Sequence, residues 1–116
     1  MTTLLFCEKP ALRAVFGTAG TAAKGSVSGD AVQQFCSPAA AQMILCDGMG
    51  TGRPAAVDGS LAAERTARLL KAGFTAELAA RLVNVALALK SDEESGATLG
   101  LISVDLYTGT ARLFNA

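Results

Sequence analysis

Residues 42–54 read QMILCDGMGTGRP. The opening QMILC is a continuous apolar run bounded by turn signals, as expected of a strand buried on both faces. Asp47 then stands at the carboxyl end of that strand. Three glycines follow in five positions, Gly48, Gly50 and Gly52, and Pro54 suits the first turn of a helix, where its missing N–H costs nothing. The stretch therefore predicts strand, acidic loop, helix.

Working outward, residues 31–36 and 42–46 read as a strand pair about Ser37-Pro38. The helix from Pro54 is predicted to reach Ala72, with Gly59 as a weak point and Gly73 as its C′ residue. Thr75 is a candidate N-cap, and Glu77 in the first turn favours the macrodipole. A second helix, 76–90, carries Leu78, Leu82, Val85 and Leu89 as one stripe, widened by Ala79, Val83 and Ala86. A link this short folds two helices into an antiparallel pair. Residues 98–106 and Leu113-Phe114 read as strands about a Tyr107-Thr108-Gly109 turn. Residues 3–7 and 11–18 read as two further strands, before the turn-like GTAGTAAKGSVSGD of 17–30. Strands and helices in separate blocks predict an α+β fold. A sheet ending at Phe114-Asn115-Ala116 would expose an edge.

The 116 residues suit one domain, and 51% are apolar, the composition of a folded chain. Ten basic residues balance ten acidic ones, and the longest like-charge run is Asp92, Glu93, Glu94. Nucleic-acid binding, which needs clustered Lys and Arg, is not indicated, nor is a membrane surface. The window 76–89 is interrupted by Glu77, Arg81 and Asn84, so it predicts no membrane span. With no signal peptide at the start, a cytoplasmic protein is expected, an anchor outside this segment being left open. Cys7, Cys36 and Cys46 lack CxxC spacing and predict buried, reduced thiols. The sequence has no histidine. This excludes a Ser-His-Asp triad and a zincin helix within the chain.

Three readings of the glycine loop stand open. A phosphate cradle needs GxxxxGK or GxGxxG, and here the spacing is GxGxG. Asp47 would also repel the phosphate unless a cation lay between them. A Mg²⁺ or Mn²⁺ site suits a carboxylate with a neighbouring backbone carbonyl, and a metal-bound water can attack a phosphoryl group. The plain alternative is an Asp-Gly turn. Among the remaining candidates, Asp58 could cap a helix or face the site but reads as a solvated helical acid, Asp92-Glu93-Glu94 could be an extra metal cluster but reads as an exposed helix end, and Arg53 could touch a substrate phosphate but reads as a surface residue beside the loop. Asn84 could hydrogen-bond across the helix pair. Tyr107 reads as a hairpin residue packed on the sheet.

Four stretches together resemble the type 2C (PPM), metal-dependent serine/threonine phosphatases, and more narrowly the stage II sporulation protein E phosphatase domains. They are VSGD at 27–30, LCDGMGTG at 45–52, the helix from Pro54 with its AGF end at 72–74, and NVALALKSDEESGATLGLISVDLYTGTARLF at 84–114. The family commonly has Ser where Cys46 stands. The resemblance implies a β-sandwich with flanking helices and a two-metal Mn²⁺ or Mg²⁺ centre. Asp47 would bridge the ions, Gly48 would offer its carbonyl, and Asp30 would act through water or as support. The helix pair would correspond to the family's regulatory switch element. The implied substrate is phosphoserine on a small anti-sigma-factor antagonist, in sporulation or stress signalling. The family domain is longer and carries later metal-binding aspartates. Here Asp105 is the one acid after Glu94, and it does not match them. The chain thus looks like the N-terminal half of such a domain, a partial sandwich expected to bind metal weakly and to be inactive by itself. The alternative is an interaction module, expected to self-associate as a homo-oligomer, using the helix pair or an open sheet edge.

Overall fold

The computed structural model describes residues 2–4, 9–21, 27–50, 52–90 and 96–116. Cys7 and the run Asp92-Glu93-Glu94 lie outside these residues. Two strands, β1 (Asp30–Cys36) and β2 (Ala40–Gly48), precede two helices, α1 (Gly52–Lys71) and α2 (Ala76–Lys90). Strands β3 (Ala97–Asp105) and β4 (Ala111–Asn115) follow. The strands form one antiparallel sheet in the order β1-β2-β3-β4. The fold is α+β as expected, with β1 and β4 at the edges.

Local chemistry accounts for the joints. Ser37 closes the β1–β2 hairpin: its Oγ accepts from the Ala40 N–H at 3.1 Å, and its own N–H donates to the Ala40 carbonyl at 2.8 Å. Helix α1 ends in a Schellman motif. The Phe74 N–H donates to the Leu69 carbonyl and the Gly73 N–H to the Leu70 carbonyl. Gly73 takes φ +97°, which glycine adopts without a Cβ penalty. Thr75 caps α2 by accepting from the Leu78 N–H at 3.3 Å. Asp105 shapes the β3–β4 turn, its carboxylate accepting from the N–H groups of Tyr107 and Thr108.

The core lies on one side of the sheet. Ile44, Cys46, Leu99 and Leu101 meet Ala62, Ala63 and Ala67 of α1 and Val83 and Leu87 of α2. Helix α1 rests on the sheet, and α2 packs chiefly on α1. The α1 contact face is built of small residues, so its backbone lies very close to the strands. A side chain on Gly48 would run into the Ala55 carbonyl, and one on Gly59 into the Gly29 carbonyl. The supposed weak point in α1 is therefore where helix and sheet touch.

Several expectations are corrected. QMILC is buried on one face only: Ile44 and Cys46 are fully buried, while Leu45 is 51% exposed. Helices cover one side of the sheet, and the described residues include no second layer. Residues 11–18 are not a strand; the Leu12 N–H donates to the Leu106 carbonyl without a ladder forming. Residues 2–4 are also outside any strand, and 5–8 lie beyond the described residues. The α2 stripe Leu78, Leu82, Val85, Leu89 faces outward, Leu89 being 81% exposed. Ala79, Val83 and Leu87 supply the buried face instead, because the small-residue surface of α1 admits a close neighbour. Cys36 is exposed, unlike Cys46, since it ends an edge strand. No described helix is long and apolar enough to cross a membrane.

Candidate metal centre

The β1–β2 register places Asp30 directly opposite Asp47. The Gly48 N–H donates to the Gly29 carbonyl at 3.0 Å. Hydrogen-bonded and non-hydrogen-bonded pairs alternate along an antiparallel ladder, so Asp30–Asp47 is a non-hydrogen-bonded pair. In such pairs the Cα atoms approach to about 4.5 Å and the side chains are closest. Both residues are exposed, on the sheet face away from the helices. The Ser28 hydroxyl accepts from the Asp30 N–H at 3.1 Å and so fixes the entry to β1.

Gly48 is buried at the strand end, and Gly29 beside it lacks the side chain that would crowd these oxygens. A Cβ on Gly29 would stand 2.9 Å from the Gly48 carbonyl oxygen and 3.4 Å from Asp47 Oδ1. A carboxylate oxygen and a backbone carbonyl thus border one small space that only glycine leaves open. The sequence signal of Gly29 is a glycine immediately before the acid in VSGD.

The donor set suits a hard dication: two carboxylates on one face, with a carbonyl at the same strand end. It falls short of a full shell. Among the described residues no group of three or more His, Cys, Asp or Glu could hold a metal. An open cavity of about 570 Å³ borders the pair, lined by Asp30, Asp47, Thr98, Gly100 and Asn115 among others. Another cavity, of about 540 Å³, opens between α2 and β3–β4, and among the described residues lining it Glu77 is the one acid. Two acids converge at the first.

The other candidates fall away from the pair or change character. Arg53 is exposed at the start of α1. Asn84 is exposed and lines the α2 cavity; among the described residues its side chain makes no bond across the helix pair. Tyr107 is half-buried in the hairpin as expected. Asp58 is 5% exposed, not solvated. Its place on the stripe of Ala55, Ala62 and Thr66 carried that signal. The loop glycines divide their work: Gly48 meets the helix, Gly50 turns with φ +92°, and Gly52 begins α1. This is no phosphate cradle of the GxGxxG kind. Burial raises the Cys46 thiol from its ordinary 9.0 to about 11.

Residues 37–116 match the family described as stage II sporulation protein E (SpoIIE). The chain belongs to the SpoIIE family. The matched segment includes Asp47 and its glycines and begins after Asp30, which the strand register brings to the site. The fold is similar to the PP2C phosphatase domain solved with a fragment of the regulatory domain of the cell fate determinant SpoIIE from Bacillus subtilis. Identity is 21% and the TM-score 0.63, over 79% of this chain and 32% of that one. The SpoIIE phosphatase domain from Bacillus subtilis in a crystal form without domain swapping matches at 23% identity and TM-score 0.47, over 78% and 39%. The chain thus spans about a third of the first SpoIIE structure. No curated protein sequence matches it. Its fold resembles part of the SpoIIE PP2C phosphatase domain.

Proposed function

We propose that this chain is part of a Mn²⁺- or Mg²⁺-dependent phosphatase acting on phosphoserine in a small regulatory protein of the anti-sigma-factor antagonist type. One observation carries the reading: Asp30 and Asp47 are directly opposed on an open sheet face. Like charges so placed repel, and a dication between them turns that repulsion into attraction. Asp47 would hold the metal directly, Gly48 would present its carbonyl, and Asp30 would complete the side facing β1. When bound, the metal supplies an activated water and offsets phosphate charge. The protein's own part is to hold two carboxylates at fixed spacing and to keep the Gly29 space clear. Two acids hold a dication weakly, so this chain by itself is expected to turn over little substrate.

The test is a calorimetric titration of Mn²⁺ into the chain beside Asp47→Ala. Saturable binding that disappears in the variant supports the reading; equal binding in both, or none in the parent chain, refutes it.

A second reading is favoured by the outward stripe of Leu78, Leu82, Val85 and Leu89. Exposed apolar surface of this kind marks interaction sites. On this reading the chain self-associates through α2. Sedimentation would then show a dimer that Leu82→Glu dissociates, whereas a monomeric parent chain rules the reading out.

A further inference from the structure

The acid pair is one end of a longer polar row. Asp30 faces Asp47, and Asp47 faces Thr98. The Met49 N–H donates to the Gly96 carbonyl at 2.8 Å. By ladder alternation Asp47–Thr98 is then a hydrogen-bonded pair, with Cα atoms about 5.5 Å apart and side chains on one face. One step back, Gly100 faces Leu45 on one side and Asn115 on the other. Gly100 has no side chain, and Asn115 Oδ1 lies 3.6 Å from the place its Cβ would take. Thr98, Gly100 and Asn115 line the same cavity as the two acids. Among the described residues, neither the Thr98 hydroxyl nor the Asn115 amide makes a side-chain hydrogen bond.

Ionised carboxylates accept hydrogen bonds and donate none, so they cannot bind an anion themselves. Among the described residues lining this cavity, the hydroxyl and the amide are the uncharged side-chain donors, and the missing side chain of Gly100 leaves the floor between them bare. We propose that Thr98 and Asn115 are the anion-binding half of the site, donating to the oxygens of a phosphate monoester held beside a cation on Asp30 and Asp47. This rests on the metal reading above. It adds a requirement of its own: phosphate binding must depend on the cation, because two acids border the cavity.

The probes are Mg²⁺ and inorganic phosphate, titrated into the chain and followed by the amide NMR shifts of Thr98, Gly100 and Asn115. Phosphate should bind only with Mg²⁺ present. Thr98→Val keeps the shape and removes the donor; it should weaken phosphate binding tenfold or more, the scale of one hydrogen bond to a charged group. Mg²⁺ affinity should stay unchanged, and Thr98→Ser should restore phosphate binding. Asn115→Ala should weaken phosphate independently. If Mg²⁺ binds through Asp47 while phosphate ignores both variants, or if phosphate binds without Mg²⁺, this inference alone is overturned. If Mg²⁺ does not bind, or binds equally in Asp47→Ala, the metal reading falls and this one with it.

Discussion

Asp30 at the start of β1 and Asp47 near the end of β2 are cross-strand partners, seventeen positions apart in sequence and adjacent in the sheet. Directly opposed like charges destabilise a ladder by about 0.2–1 kcal/mol. Asp30→Asn should therefore raise stability by about that amount in metal-free urea unfolding. In Mn²⁺ the order should reverse, because the parent chain gains stability from bound metal and the variant gains less. Equal stability of the two chains in both conditions would mean that the carboxylates do not interact.

Gly59 reverses the usual effect of a helical glycine. In an exposed helix Gly→Ala stabilises by roughly 1 kcal/mol. Here the added Cβ would meet the Gly29 carbonyl. Gly59→Ala should cost about 1–3 kcal/mol, as overpacking does. A chain stabilised by this change would show that α1 does not sit so close to the strands.

The two faces of α2 should respond in opposite ways. Leu87 is buried in the core cluster and Leu89 is exposed. Leu87→Ala should cost about 2–5 kcal/mol in chemical denaturation. Leu89→Gln should stay within about 0.5 kcal/mol. The reverse order would restore the outer stripe as the packed face.

Cys46 gives a pH signature. Burial raises its thiol from 9.0 to about 11, so the folded state resists ionisation that the unfolded state permits. Its contribution is fully present below about pH 9 and is lost as pH rises towards 11. The loss of stability over that window should be shallower in Cys46→Ala. In native labelling followed by peptide mass spectrometry, Cys36 should react with iodoacetamide and Cys46 should not. Parallel pH profiles, or rapid labelling of Cys46, would contradict its burial.

Much of this was legible in residues 42–54. A buried run, a terminal acid, closely spaced glycines and Pro54 set out β2, the site and α1 in order. Gly73 and Thr75 marked the helix joint because their backbone and capping roles are local. Non-local packing was harder to read. The α2 stripe misled because the largest side chains seemed the natural core, whereas the Ala-rich surface of α1 selects the small face. Leu45 looked buried because a continuous apolar run does not reveal how many layers cover it. Asp30 was visible as a candidate, but its place beside Asp47 depends on the hairpin register closed by Ser37. Gly29 is silent in the sequence because an absent side chain has meaning only beside the atoms it would touch.

The proposed metal centre puts a dication between Asp30 and Asp47. Paramagnetic broadening by sub-stoichiometric Mn²⁺ in the amide NMR spectrum tests it most directly. A dication held there should centre the broadening on Asp30, Asp47, Gly48 and Thr98, spare the distant Asp105 turn and lose its effect in Asp47→Ala. Broadening centred elsewhere, or unchanged in that variant, would contradict it.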